Sequence, residues 1–277
     1  ALFEAAGVAY PPKWENWDEV VADAKKLTQV GPDAVMTVAG MHYTNSDQLF
    51  TYFLAGILEQ GGNYFAEDGK HFNFNSPEAI ATIQKLMDMA QQDKIVDPII
   101  FNADSEWVGD SFAQGHNAIG VLGSWYAGDA KLAYPDLKFD YVALPPMMGD
   151  QYKFASVGGW GYVVGKSTKR PDLAWKLAAF LGADQANVLF FNSKSATIPA
   201  MKSVAADPKL LEGAPFLAPV LPILEFGQYQ GNLTDPDQLA YEIVYPTILD
   251  AIQGNLTAEE AANSIHEAAN AMVDAAQ

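Results

Sequence analysis

The chain contains no cysteine. That excludes a disulfide framework, a zinc-thiolate site and a cysteine nucleophile, but it leaves the compartment open. Basic residues are also scarce: 16 Lys and Arg face 34 Asp and Glu, for a formal net charge of −18. No Lys or Arg cluster supplies the positive footprint that nucleic-acid binding needs, and the short run at 166–170 reads as a solvated loop before a helix. The acidic excess favours solubility and disfavours anionic partners. No apolar run reaches the ~18 residues of a membrane span, and no charged-then-apolar leader opens the chain. Histidine occurs only at His42, His71, His116 and His266. None is spaced from another His or a carboxylate like a metal-ligand pair, so no metal is expected. G-x-S-x-G, P-loop and dinucleotide fingerprints are all missing, so no cofactor is expected either.

What is present is an ordinary globular composition, 49% apolar and 18% charged over 277 residues, enough for one large domain or two medium ones. Helical and strand-like patterns alternate. Asn16-Trp17-Asp18-Glu19 reads as a capping box opening a helix that runs to Leu27, with Val20, Ala24 and Leu27 on one face. Residues 48–60 are apolar almost all round and predict a buried helix, stopped by Gly61-Gly62. Ser76-Pro77 opens another helix, with Ile80, Ile83, Met87 and Ala90 at helical spacing. Short strands are expected at 35–39, 118–122, 141–144 and 161–164. Pro171 starts a helix with Leu173, Leu177, Phe180 and Leu181 on its inner side. Residues 239–252 form a helix that Pro246 should kink, and Thr257-Ala258-Glu259-Glu260 is a second capping box. The alternation predicts an α/β fold.

Two features could carry chemistry. Asp104 and Glu106 lie two apart, a spacing a carbohydrate hydrolase could use, although acids are common throughout. The aromatics are more specific. Six Trp, 12 Tyr and 15 Phe exceed what a core of this size requires. Trp125 in "GSWYAGD" and Trp160 in "SVGGWGYVV" stand beside glycines at expected strand ends. Glycine weakens a strand and marks close approach to its backbone, and an indole face suits the C–H surface of a sugar ring. Core packing would use the same two residues. Trp14, Trp17, Trp107 and Trp175 flank or enter helices and read as structural.

Several motifs, each weak alone, occur in an order that resembles the extracellular solute-binding proteins of bacterial ABC transporters, in the group that includes maltose-binding protein. They are "LFEAAGVAYPPKWENWDEVVADAKKLT", "FLAGILEQGGNYF", "FNSPEAIATIQKLMDM", "SFAQGHNAIGVLGSWYAGD", "SVGGWGYVVGKSTKRPDLAWKLAAFL" and "TIPAMKS", and together they cover nearly the whole chain. The resemblance implies a periplasmic-binding-protein-like α/β fold: two lobes joined by crossing strands, with the ligand in the cleft. It implies that the N-terminal part of the first lobe is absent. Residues 1–155 would then belong to the second lobe, 156–212 to the hinge crossing and a returning part of the first, and 213–277 to the second again.

On that reading Gly158 and Gly159 let the hinge backbone turn near ligand, and Trp160 forms an aromatic wall. Trp125 forms another wall from the opposite lobe. Tyr241 and Tyr229 are further aromatic candidates, and Tyr43 and Asp47 could supply polar contacts. Helix packing would equally suit the two tyrosines near the C-terminus, and a helix cap would suit Asp47. The implied function is non-catalytic: capture of a neutral sugar or oligosaccharide, hinge closure, and delivery to ABC permease subunits. The protein would be a periplasmic or extracellular monomer, anchored if a lipid-modified cysteine lies upstream. A carbohydrate hydrolase with a carboxylate pair, or a lectin-like adhesion module, are the alternatives.

Overall fold

The computed structural model describes residues 1–43, 47–97, 106–156 and 159–276. They form two compact units. The larger comprises Ala1–Leu122, Leu144–Ser156 and Phe226–Gln277, the smaller Gly123–Ala143 and Val157–Glu225.

The larger unit begins with α1 (Leu2–Ala5) and α2 (Trp17–Leu27). Asn16 Oδ1 accepts from Glu19 N at 3.1 Å as the capping pattern requires. The Glu19 carboxylate takes the Glu15 N–H at 2.8 Å and the Asn16 side-chain amide at 3.2 Å, so the box closes one residue early. Trp17, Val20, Val21, Ala24 and Leu27 make the buried face. Three strands follow in sheet order: β1 (Gln29–Val30), β2 (Met36–His42) and β3 (Asn117–Gly120). The β1–β2 pair is antiparallel and the β2–β3 pair parallel, with Met41 opposite Ile119. A Cβ on Gly40 would fall 2.1 Å from the Ala24 carbonyl oxygen, so only glycine lets α2 lie this close to β2.

Parallel strands need a crossover. Here it carries α3 (Asp47–Glu59), α4 (Pro77–Gln91) and α5 (Val108–Ala113). Ser76 caps α4 by accepting from Ala79 N at 3.2 Å. The larger unit's core is completed by α11 (Tyr245–Ile252) and α12 (Ala258–Ala275). Gln91 Nε2 donates to the carbonyls of Ala251 and Ile252 at the end of α11, joining it to α4. The Thr257–Glu260 capping box is complete. Ahead of Pro246 the chain widens into a π-helical run, Gln238–Val244, which is the form the expected irregularity takes. A second parallel pair joins β4 (Phe154–Ser156) to β5 (Gly227–Tyr229).

The smaller unit holds α6 (Tyr126–Ala133), α7 (Pro171–Ala183), α8 (Gln185–Ser195), α9 (Lys202–Ala205) and α10 (Pro208–Gly213). Its core is small: Ala127, Ala196, Leu210, Ala214 and Leu217, with Phe139 stacked on Phe216 at 5.0 Å. The unit boundaries differ from the sequence-based segments. Ala127 packs with Leu210 and Ala214, which ties Gly123–Ala143 to the smaller unit, and that unit runs on to Glu225.

Two expected strands are not formed. Residues 141–144 and 161–164 belong to no ladder, and among the described residues the smaller unit contains no strand to pair with them. An apolar run becomes a strand only when a neighbour takes its backbone hydrogen bonds. The expected inner face of α7 also lies open: the helix has no buried residue.

Candidate functional site

The smaller unit contains the two tryptophans that the sequence singles out. Trp125 precedes the first turn of α6 and is 40% exposed. Its indole lies against Gly123, where an added Cβ would fall 2.2 Å from Trp125 Nε1. The glycine is therefore the floor on which the ring rests. The Gly123 carbonyl accepts from Tyr141 Oη at 2.8 Å and from Tyr126 N at 3.0 Å, which fixes that floor. Burial holds the Tyr141 phenol neutral by pushing its pKa well above the ordinary value. The result is a partly exposed aromatic ring propped on a glycine whose carbonyl is fixed by two hydrogen bonds.

Trp160 is fully exposed, and no atom of the described residues comes within 4 Å of a Cβ built on Gly159 or Gly161. The close approach that the glycines imply is thus not made by the described chain. Gly158 lies outside the described residues. Because Trp125 and Trp160 both belong to the smaller unit, the sequence-based placement of Trp125 opposite Trp160 does not match the compact units.

The larger unit carries the other candidates. Tyr229 ends β5 in register with Ser156 and is 70% exposed, its hydroxyl donating to Asn232 Oδ1 at 2.8 Å. It therefore flanks the chain just before Gly158. Tyr241 lies in the π-helical run and is about half exposed. Tyr43 differs from expectation. It is fully buried and donates its hydroxyl to the Leu86 carbonyl at 3.3 Å, so its placement is that of a core residue. Asp47 opens α3, but its side chain lies outside the described residues.

Two histidine–carboxylate groupings escaped the sequence reading. His116 Nδ1 meets Glu106 Oε2 at 2.7 Å, bridging the two ends of α5. His71 Nδ1 meets Asp68, and its Nε2 meets Asp274 Oδ1 at 3.1 Å on α12. Asp274 is far away in sequence and could not have been anticipated, whereas the Asp68–His71 spacing could. Both carboxylates raise the His71 pKa. No group of three acidic or histidine ligands among the described residues could hold a metal ion. Trp107, read as structural, is partly exposed, and its ring lies on Gly109 much as Trp125 lies on Gly123.

Residues 1–188 match the model of the bacterial extracellular solute-binding proteins. The chain belongs to that family. A binding protein of Brucella abortus is 26% identical over 181 residues, which are 65% of this chain and 42% of the relative. The chain therefore spans less than half the length of the curated relatives it matches. Among solved structures, an ABC substrate-binding protein from Listeria monocytogenes in complex with cycloalternan matches with a TM-score of 0.76 and 20% identity, covering 98% of this chain and 66% of that one. The maltose/maltodextrin-binding domain of Bdellovibrio bacteriovorus bound to maltotriose matches with a TM-score of 0.73 and 20% identity, covering 96% and 68%. The fold is thus that of the two-lobed periplasmic binding proteins, as the motif series implied, and the family and these neighbours are binding proteins. The family is extracellular by description, and no described helix is long and apolar enough to cross a membrane.

Proposed function

We propose that the protein is the solute-capturing component of a bacterial ABC importer. It takes a neutral sugar or oligosaccharide outside the cytoplasmic membrane and delivers it to permease subunits, with no catalytic step. It acts as a monomer, and any anchoring is by lipid. The observation that carries this reading is the Trp125 indole, propped on Gly123 and 40% exposed. Such a ring offers dispersion and C–H contact to a pyranose without selecting for charge. Trp160, Tyr229 and Tyr241 are the further stacking candidates, with Gly158 and Gly159 giving access to the main chain. Asp47 is a candidate polar contact in the same proposal, whereas Tyr43, buried and bonded to the Leu86 carbonyl, is not. Solved neighbours bound to cycloalternan, maltotriose and tagatose support a sugar or oligosaccharide ligand.

The test is thermal unfolding and tryptophan fluorescence of the protein as its gene encodes it, against mono- and oligosaccharides. Ligand at a hundred times Kd adds about 2.7 kcal/mol, hence a Tm rise of roughly 5–10 °C. One sugar should give that rise and be recovered intact. A flat response to every sugar refutes the sugar assignment, and breakdown of the sugar refutes the absence of catalysis.

A further inference from the structure

In the larger unit, the chain around Tyr229 is gripped by a hairpin that lies between α3 and α4 in sequence. From Tyr64 to Phe74 the backbone folds back on itself. Phe65 and Phe72 form an antiparallel bridge, Asn73 N donates to the Tyr64 carbonyl at 2.8 Å, and Ala66 N donates to the His71 carbonyl at 2.8 Å. The rings make one stack into the core: Phe65 on Phe72 at 5.4 Å, Phe72 on Phe74 at 4.7 Å, and Phe74 beside Phe53 of α3 at 5.2 Å. Asn270 of α12 accepts the Phe72 N–H at 2.7 Å and donates its amide to the Phe72 carbonyl at 3.1 Å. The hairpin is therefore a fixed part of the core, tied to α3 by its rings and to α12 by hydrogen bonds.

Two residues of this hairpin hold the end of β5. Tyr64 is buried and donates its hydroxyl to the Gln230 carbonyl at 3.0 Å, and the Gln228 side chain hydrogen-bonds the same hydroxyl. Phe65 packs on Gly231, which has φ +93°, and a Cβ there would overlap the Phe65 ring. Residues 228, 230 and 231 are thus all held by the hairpin, and the β4–β5 ladder pairs Tyr229 with Ser156. The Tyr229 ring nevertheless stays 70% exposed. An exposed ring on a backbone fixed in advance loses less freedom when a ligand docks on it, and so contributes more to affinity.

We infer that Tyr64 is a positioning residue for Tyr229: by holding the Gln230 carbonyl, with Phe65 seated on Gly231, it sets the direction from which the Tyr229 ring meets a sugar. This rests on the reading of the protein as a sugar-capturing component with Tyr229 among its stacking rings. Tyr64 is itself buried, so it acts through the backbone of Gln230 and not by touching the ligand.

The experiment is a double-mutant cycle on sugar affinity with Tyr64→Phe, Tyr229→Ala and the two combined. The probe is whichever of maltose, maltotriose and tagatose raises the Tm most. Tyr64→Phe keeps the ring beside Phe65 and removes only the hydroxyl, so Tm should fall by no more than roughly 4 °C. Affinity should weaken by roughly fivefold, the scale of one hydrogen bond. In the Tyr229→Ala background the same change should cost less than about twofold, because the residue through which it acts is gone. An unchanged affinity in Tyr64→Phe, or a loss that persists in full beside Tyr229→Ala, would overturn the inference, since the hydroxyl would then serve stability alone. Without sugar, the ring-labelled NMR signal of Tyr229, assigned through Tyr229→Phe, should shift on Tyr64→Phe, and an unmoved signal would also overturn the inference. A protein that binds none of the sugars refutes the ligand reading instead, and the Tyr229 signal then decides the positioning role on its own.

Discussion

Glu59 gives a pH dependence of defined sign. It ends α3, and its carboxylate accepts the Met148 N–H at 2.8 Å and a second backbone bond from Met147. Gly149, at φ +72°, brings the following turn so close to α3 that a Cβ would fall 2.9 Å from the Glu59 carbonyl. The carboxylate is therefore held in a tight, poorly hydrated corner. Burial raises its pKa to about 7, against the two hydrogen bonds that lower it. A folded pKa above the unfolded one means that the native state binds the proton more tightly. The stability it contributes is complete below the unfolded value of about 4.5 and is lost as pH rises through about 7. A shift of this size corresponds to about 3 kcal/mol at most, and to about 2 kcal/mol after allowance for the partly solvated site. Glu59→Gln removes the titration and keeps an acceptor for Met148. Relative to wild type, the variant should gain roughly 4–8 °C in Tm between pH 5 and pH 8, measured as the difference between the two melting curves at each pH. A wild-type-minus-variant difference that does not change with pH would refute the reasoning.

Gly123→Ala should leave the fold intact, since the glycine does not need a left-handed backbone, but should tilt Trp125 off its support; sugar affinity should fall by roughly tenfold or more, the scale of losing one aromatic anchor, in a fluorescence titration. Gly40→Ala should destabilise the larger unit by at least about 3 kcal/mol, because the new methyl meets the Ala24 backbone carbonyl and no side chain can yield; a thermal melt checks this. By NMR, His71 should titrate above the ordinary histidine value, and Asp274→Asn should move it back down, since Asp68 and Asp274 both stabilise its charged form.

Local signals in the sequence were enough for α2, α4 and α12. Asn16, Ser76 and Thr257 each accept a backbone N–H three residues on, and the apolar spacing behind them points into the core. These are short-range effects, set by side chains that satisfy the nearest orphan donors. The motif order carried the family and the fold for the same reason, since it is written along one chain. Strands 141–144 and 161–164 could not be decided locally, because a strand exists only if a partner takes its hydrogen bonds, and no such partner occurs among the described residues of the smaller unit. The α7 stripe is apolar by sequence, but whether it is buried depends on what packs there. Tyr43 is more buried and Trp107 more exposed than expected because burial is a property of the packed neighbourhood: Tyr43 reaches the Leu86 carbonyl 43 residues away, and Trp107 stays partly in water on a glycine. The assignment of Gly123–Ala143 to the smaller unit likewise rests on Ala127 meeting Leu210 and Ala214, contacts between residues some eighty positions apart that only the folded chain creates.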